Sequence, residues 1–170
     1  MTETPHEETR SFSLRPGTSA DCEAIVELIS ELAEFELLSH MMQATPASLR
    51  QHLFGPHPAA EVVIAQLDDS GPVVGFALFF SNFSTFLGKP GLYLEDLFVQ
   101  PAQRKLGIGK ALRQHLGAMA VERGCGRFEW SVLDWNADAI EFYRRMGATV
   151  LPDWRICRIT GEALQRYARS

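Results

Sequence analysis

Two adjacent carboxylates, Glu95 and Asp96, interrupt an otherwise apolar run from Leu92 to Val99. An ionised carboxylate is costly to bury unless it is paired or hydrogen-bonded. Soon after comes Arg104-x-x-Gly107-x-Gly109, at the start of a stretch with helical periodicity. The first N–H groups of a helix lack acceptors, and its dipole is positive at that end, so such a loop can hold an anion. The chain therefore offers acid–base groups and an anion site within one short segment.

Three phosphate-loop patterns compete for it. The dinucleotide fingerprint requires Gly or Ala at its third position, where this chain has Leu112. The P-loop requires Gly where Arg104 stands and Ser or Thr where Ala111 stands. The third pattern is a strand, then Arg/Gln-x-x-Gly-x-Gly/Ala, then a helix, and here every position fits. A glycine-rich turn without a ligand is the structural alternative.

These residues need elements to position them. Simple alternation puts Leu92, Leu94 and Phe98 on one strand face and Tyr93, Leu97 and Val99 on the other. A strand apolar on both faces belongs inside a sheet. Ile108, Ala111, Leu112, Leu116, Met119 and Ala120 form the inner stripe of the following helix, which ends near Gly124. Earlier, Phe12–Arg15 reads as a strand, and Ile25, Leu28, Ile29 and Leu32 mark a helix capped near Thr18 or Ser19. Its stripe runs on to Phe35 and Glu36, so Glu36 is either a solvated terminal residue or a carboxylate facing a cleft. Thr45-Pro46 opens a short helix to about Phe54. Strands follow over residues 61–67 and 73–80, with a turn between them, and Ser81–Pro90 reads as a polar and aromatic loop. A strand over 127–133 and a helix over 137–146 come next, with Asn136 as cap and Gly147 as stop. Strand-like stretches at 148–150 and 155–159 and a short amphipathic helix close the chain.

The 170 residues favour a single domain, here 11–170, after a polar and acidic tail over 1–10. No apolar run has membrane-span length and the N-terminus lacks a signal-peptide core, so a cytoplasmic protein without a membrane partner is expected. A formal charge of −5 argues against nucleic acid and agrees with a cationic partner. Cys22, Cys125 and Cys157 form no CxxC pair and read as thiols; no metal site is expected.

The Arg104–Gly109 element resembles the acyl-CoA-binding motif of the GCN5-related N-acetyltransferases (GNAT). Leu94–Val99, Arg104–Gly109, Asp134-Trp135-Asn136, Phe142–Ala148 and Asp153-Trp154-Arg155 recur in this order in the diamine acetyltransferases of the spermidine/spermine and thialysine type. Leu32–Glu36 resembles the end of their first helix. The resemblance implies an α/β (α+β) fold with a mixed, mostly antiparallel sheet flanked by helices. It implies that the backbone of Leu97, Phe98 and Val99 holds the pantetheine arm of acetyl-CoA as an added strand. Arg104, Lys105, Gly107, Ile108, Gly109 and Lys110 would hold the pyrophosphate. Asn136 would contact the cofactor near its thioester, or serve only as a helix cap. Tyr143 would protonate the departing thiolate; from position alone it is equally a core aromatic. Glu36, Glu95, Asp96 and Trp154 would bind a cationic substrate, and relatives form homodimers.

The implied chemistry has a defined difficulty. At pH 7 only about one lysine-like amine in 2,500 is neutral, a cost of ~4.6 kcal/mol unless the site assists. Glu95 is the candidate base; otherwise it is a carboxylate paired with a cation. A phenol near ~10 can protonate a thiolate whose conjugate acid lies near ~8.5. Direct transfer to a small-molecule primary amine, a diamine, polyamine or lysine-like compound, needs no nucleophilic Ser or Cys. Close polyamine enzymes carry more acid after the first helix, where this chain has Leu38–Met42, and a second ammonium finds less charge there. The alternatives are a protein or peptide acetyltransferase, with Ser81–Pro90 leaving an open groove, and a non-catalytic CoA-binding module.

Overall fold

The computed structural model describes residues 11–169. The expected tail over 1–10 lies outside the described residues. The chain divides after Ser131 into two compact units.

The first unit is built on a five-stranded sheet: β1 (Phe12–Pro16), β2 (Glu61–Leu67), β3 (Val73–Ser84), β4 (Lys89–Val99) and β5 (Arg127–Trp130), in that spatial order. Neighbours are antiparallel except β4 and β5, which are parallel. The mixed, mostly antiparallel sheet agrees with the sequence reading. Both faces of β2 and β3 are covered because their residues alternate between two apolar layers. Val63, Ala65, Val74, Ala77 and Phe79 pack with Ile108, Leu112, Leu116 and Ala120 of α3 (Ile108–Glu122). Val62, Ile64 and Phe76 pack with Ile25 and Leu28 of α1 (Cys22–Phe35) and Leu53 of α2 (Pro46–Phe54).

Local chemistry starts each helix. Asp21 accepts from the Thr18 N–H at 2.7 Å and its hydroxyl at 2.8 Å, and grips Arg15 through two bonds of 2.8 and 2.9 Å. This ties β1 to the turn that launches α1. Thr45 Oγ1 accepts from the Ser48 N–H at 3.1 Å, with Pro46 in the first helical turn of α2.

Three expectations are corrected. Ser81–Pro90 is not an open loop: β3 and β4 pair as far as Ser84 and Lys89, leaving a tight turn. The aromatic residues there are compatible with strand, and only Gly88 needs the left-handed region, at φ +62°. Second, Phe98 does not share a face with Leu92 and Leu94. It packs with α1, whereas those two pack with α3. Third, β5 ends at Trp130 rather than residue 133, and residues 148–150 and 155–159 form no strand.

The second unit contains α4 (Ala137–Arg145) and α5 (Gly161–Tyr167). Asn136 caps α4, its Oδ1 accepting from the Ala139 N–H at 3.3 Å. Gly147, at φ +92°, terminates it.

Candidate active site

The change of face within β4 has one cause. Asp96 stands opposite Leu78 and Leu94 opposite Phe79, so Glu95 is an extra residue with no partner on β3. A β-bulge of this kind moves every later side chain to the other face. Leu97 and Val99 therefore join Leu92 and Leu94 on the α3 side, while Asp96 and Phe98 join Tyr93 on the α1 side.

The bulge also marks where β4 loses β5. Pairing between them covers only Gly91–Leu94 with Arg127–Trp130. Beyond that, β4 has no strand on this side among the described residues. The Gln100 N–H donates to the Val74 carbonyl at 2.9 Å, toward β3. Backbone direction alternates along an antiparallel strand, so Leu97 and Val99 turn their polar groups to the open side. Phe98 turns its own to β3 and has its side chain buried.

The anion-loop residues stand beside that open edge. A 3₁₀ turn over Pro101–Leu106 leads to Gly107 at φ +79°, then to α3. No side chain caps this helix start, so its first N–H groups are left for solvent or a ligand. A methyl group placed on Gly109 would touch only Leu97 and Val99 side chains, at 3.8 Å, which sets the first turn of α3 against the open part of β4. Ile108 is fully buried and anchors the turn, so only its backbone is available to a ligand. Arg104, Lys105 and Lys110 are exposed. The Arg104 guanidinium lies over the rings of Phe35 and Phe98, at 5.2 and 5.8 Å, and its Nε–H donates to the Val99 carbonyl at 3.3 Å. Three cationic side chains and a bare helix start beside an unpaired strand edge fit an extended, amide-bearing polyanion such as acyl-CoA.

The carboxylates occupy different environments. Glu95 is exposed on the bulge and makes no ion pair among the described residues. Asp96 is largely buried, and its pKa is pushed up to about 6 by desolvation first, then by Glu95 and Glu36. Glu36, just past the end of α1, is raised by burial. The environment of a poised base thus belongs to Asp96, the neighbour of the residue singled out from sequence. Among the described residues, no group of three or more His, Cys, Asp or Glu could hold a metal ion.

The remaining candidates belong to the second unit. Tyr143 is partly buried on α4 with its ring against Phe142, centroids 5.6 Å apart. Asn136 caps the same helix, and Trp154 is 75% exposed. The bulge was missed from sequence: with apolar residues on both faces of the strand, the pattern does not show that Leu94 and Leu97 share one. Phe35, which carries Arg104, was seen only as the end of a helical stripe.

The Acetyltransferase (GNAT) family profile matches residues 23–148. The chain belongs to the GNAT acetyltransferase family. It is an acetyl-CoA-dependent amine N-acetyltransferase. The chain is 36% identical to an L-ornithine N5-acetyltransferase of Arabidopsis thaliana, across 92% of this chain and 88% of that protein. It is also 36% identical to a mouse thialysine N-epsilon-acetyltransferase, covering 93% and 98%. Among solved structures, an integron cassette protein of V. cholerae is similar with a TM-score of 0.77 and 27% identity, covering 94% of this chain and 99% of that one. Family membership gives the acyl donor, acetyl-CoA. The acceptor is not given by it.

Proposed function

We propose that this protein moves an acetyl group from acetyl-CoA directly to the primary amine of a small cationic substrate, of the diamine or lysine-like class. The observation that carries the reading is the division of β4 at Glu95. Below the bulge, the open backbone of Leu97 and Val99 lies against the start of α3. On the other face, the same strand presents the partly buried Asp96.

In this reading Leu97 and Val99 hydrogen-bond the amide arm of the donor, with Phe98 holding the strand in place. Arg104, Lys105 and Lys110 neutralise the pyrophosphate, while the N–H groups of Gly107, Ile108 and Gly109 surround it. Acetyl-CoA, when bound, supplies the thioester carbonyl. Asp96, with Glu95 and Glu36, attracts the substrate ammonium and takes up one proton directly or through water. The neutral amine forms the new C–N bond as the C–S bond breaks. Tyr143 donates its hydroxyl proton to the departing thiolate, and the nitrogen loses its second proton. The products are an N-acetyl amine, CoA and one released proton. Asn136 orients the thioester end, and Trp154 lies along the cation.

Similarity to ornithine and thialysine acetyltransferases supports an amino-acid-like acceptor. The alternative of a protein or peptide substrate rested on an open loop at Ser81–Pro90, where the chain instead forms a paired hairpin. We further propose a cytoplasmic homodimer with a single catalytic domain over residues 11–170. Exposed Trp154, Ile156 and Tyr167 support a subunit contact, and three free cysteines support a reducing compartment.

The test is thiol release from acetyl-CoA with diamines, polyamines, lysine analogues and peptides. Small amines should stimulate release and peptides should not. CoA binding with no amine-stimulated release would contradict the reading.

A further inference from the structure

The C-terminal turns of α1 meet the anion loop through two pairs of side chains. Gln100 Nε2 donates to Glu31 Oε1 at 2.7 Å. The Arg104 guanidinium lies over the Phe35 ring at 5.2 Å. Residues i and i+4 of a helix share a face, so Glu31 and Phe35 present one strip of α1 to the segment from Gln100 to Arg104. The anion-loop pattern includes Arg104 but no residue of α1.

Arg104 is held without being neutralised. Its partners are two ring faces, Phe35 and Phe98, and the Val99 carbonyl. Among the described residues it makes no ion pair. Glu31, the carboxylate on the facing strip of α1, is tied to a neutral amide instead. A carboxylate partner would also fix the side chain, but an arriving phosphate would then have to displace it. An aromatic face attracts the cation through its quadrupole and leaves the positive charge in place. Val99 takes the Nε–H, which leaves the two terminal nitrogens for a phosphate. The Val99 carbonyl keeps a second lone pair for the amide arm of the donor.

The placement suits that task. A methyl group on Gly109 would lie 3.8 Å from the Val99 side chain, so the carbonyl that holds Arg104 belongs to a residue facing the first turn of α3. The two rings differ in what else they do. Phe98 is 4% exposed and is part of the core on the α1 side. Phe35 is 52% exposed, so its ring contributes less to packing.

We propose that Phe35 is a positioning residue for the acyl donor. It holds Arg104 where the guanidinium meets the pyrophosphate of acetyl-CoA, and α1 thereby contributes to donor binding. An arginine already held loses less side-chain entropy when the phosphate arrives. The proposal rests on the reading that places the pyrophosphate at the Arg104–Lys110 loop.

Calorimetric titration with CoA tests this on the wild type, Phe35→Leu, Phe35→Trp, Arg104→Ala and the double variant Phe35→Leu/Arg104→Ala. Phe35→Leu should weaken CoA binding about fivefold, of the order that immobilising one long side chain costs. Phe35→Trp keeps an aromatic face and should stay within about twofold of the wild type. In the Arg104→Ala background, Phe35→Leu should change the affinity by less than about twofold, because the group it acts through is gone. Thermal melts identify a variant that fails to fold, and Phe35→Met then replaces Phe35→Leu throughout. Equal losses from Phe35→Leu in both backgrounds would overturn the proposal, as would an unchanged affinity in the single variant. If Arg104→Ala itself leaves CoA affinity unchanged, the placement of the pyrophosphate has failed and the proposal falls with it, which is a different result.

Discussion

Glu95 and Asp96 are neighbours in sequence but not in environment: Glu95 is the unpaired, exposed residue of a β-bulge, and Asp96 is largely buried opposite Leu78. The bulge separates the two tasks of β4. One side keeps a free backbone edge, and the other turns a carboxyl toward the end of α1.

Asp96 should control the acidic limb of activity. Its folded pKa of about 6 predicts that kcat/KM falls as pH drops through about 6, because the protonated carboxyl no longer attracts an ammonium. Asp96→Asn should lower kcat/KM by roughly 10²-fold and remove that limb. Glu95→Gln should cost less. A pH–rate profile of the three proteins checks the order.

The same residue should be a stability liability. Its pKa is raised on folding, so the native state binds the proton more tightly, and stability falls as pH rises from about 4 through about 6. Asp96→Asn should therefore gain about 1–2 kcal/mol at pH 7.5 and lose the advantage below pH 4. Denaturant melts at both pH values test this.

Asp21 has the opposite sign. Hydrogen bonds from Arg15 outweigh burial and, with those from Thr18, hold its pKa near 2. The stabilisation is present above about pH 4 and lost as pH falls toward 2. Asp21→Asn should cost about 2 kcal/mol at neutral pH, since it breaks a charge-assisted network at a helix start. Acid unfolding of the variant should lose the transition between pH 4 and 2.

At the anion loop, Arg104→Ala should weaken CoA binding roughly tenfold, about 1.4 kcal/mol, with a smaller effect at high salt. Gly107→Ala should cost about 1 kcal/mol of stability because only glycine adopts φ +79° without strain. Calorimetric titration of CoA and thermal melts separate the two effects.

Much of this architecture was legible in the sequence. The apolar runs within 61–67 and 73–80 named two strands, the second apolar enough to be central, and the Ile108–Ala120 stripe named a long helix after the anion loop. The Arg104–Gly109 spacing located the bare helix start. The bulge was not legible by alternation, because one inserted residue defeats a period of two, and Phe98 was assigned to the wrong face. The Ser81–Pro90 segment was read as a loop because its polar residues mask a half-exposed hairpin. Which carboxylate is buried depended on the same slip of one residue.

Direct transfer is the central claim. It is tested by mixing excess enzyme with acetyl-CoA labelled in its acetyl group and an amine acceptor, quenching within one turnover, and following the label. All of it should pass to the N-acetyl amine, and Tyr143→Phe should slow that passage roughly 10²-fold or more. Label retained on the protein, or released only as acetate, would contradict the account.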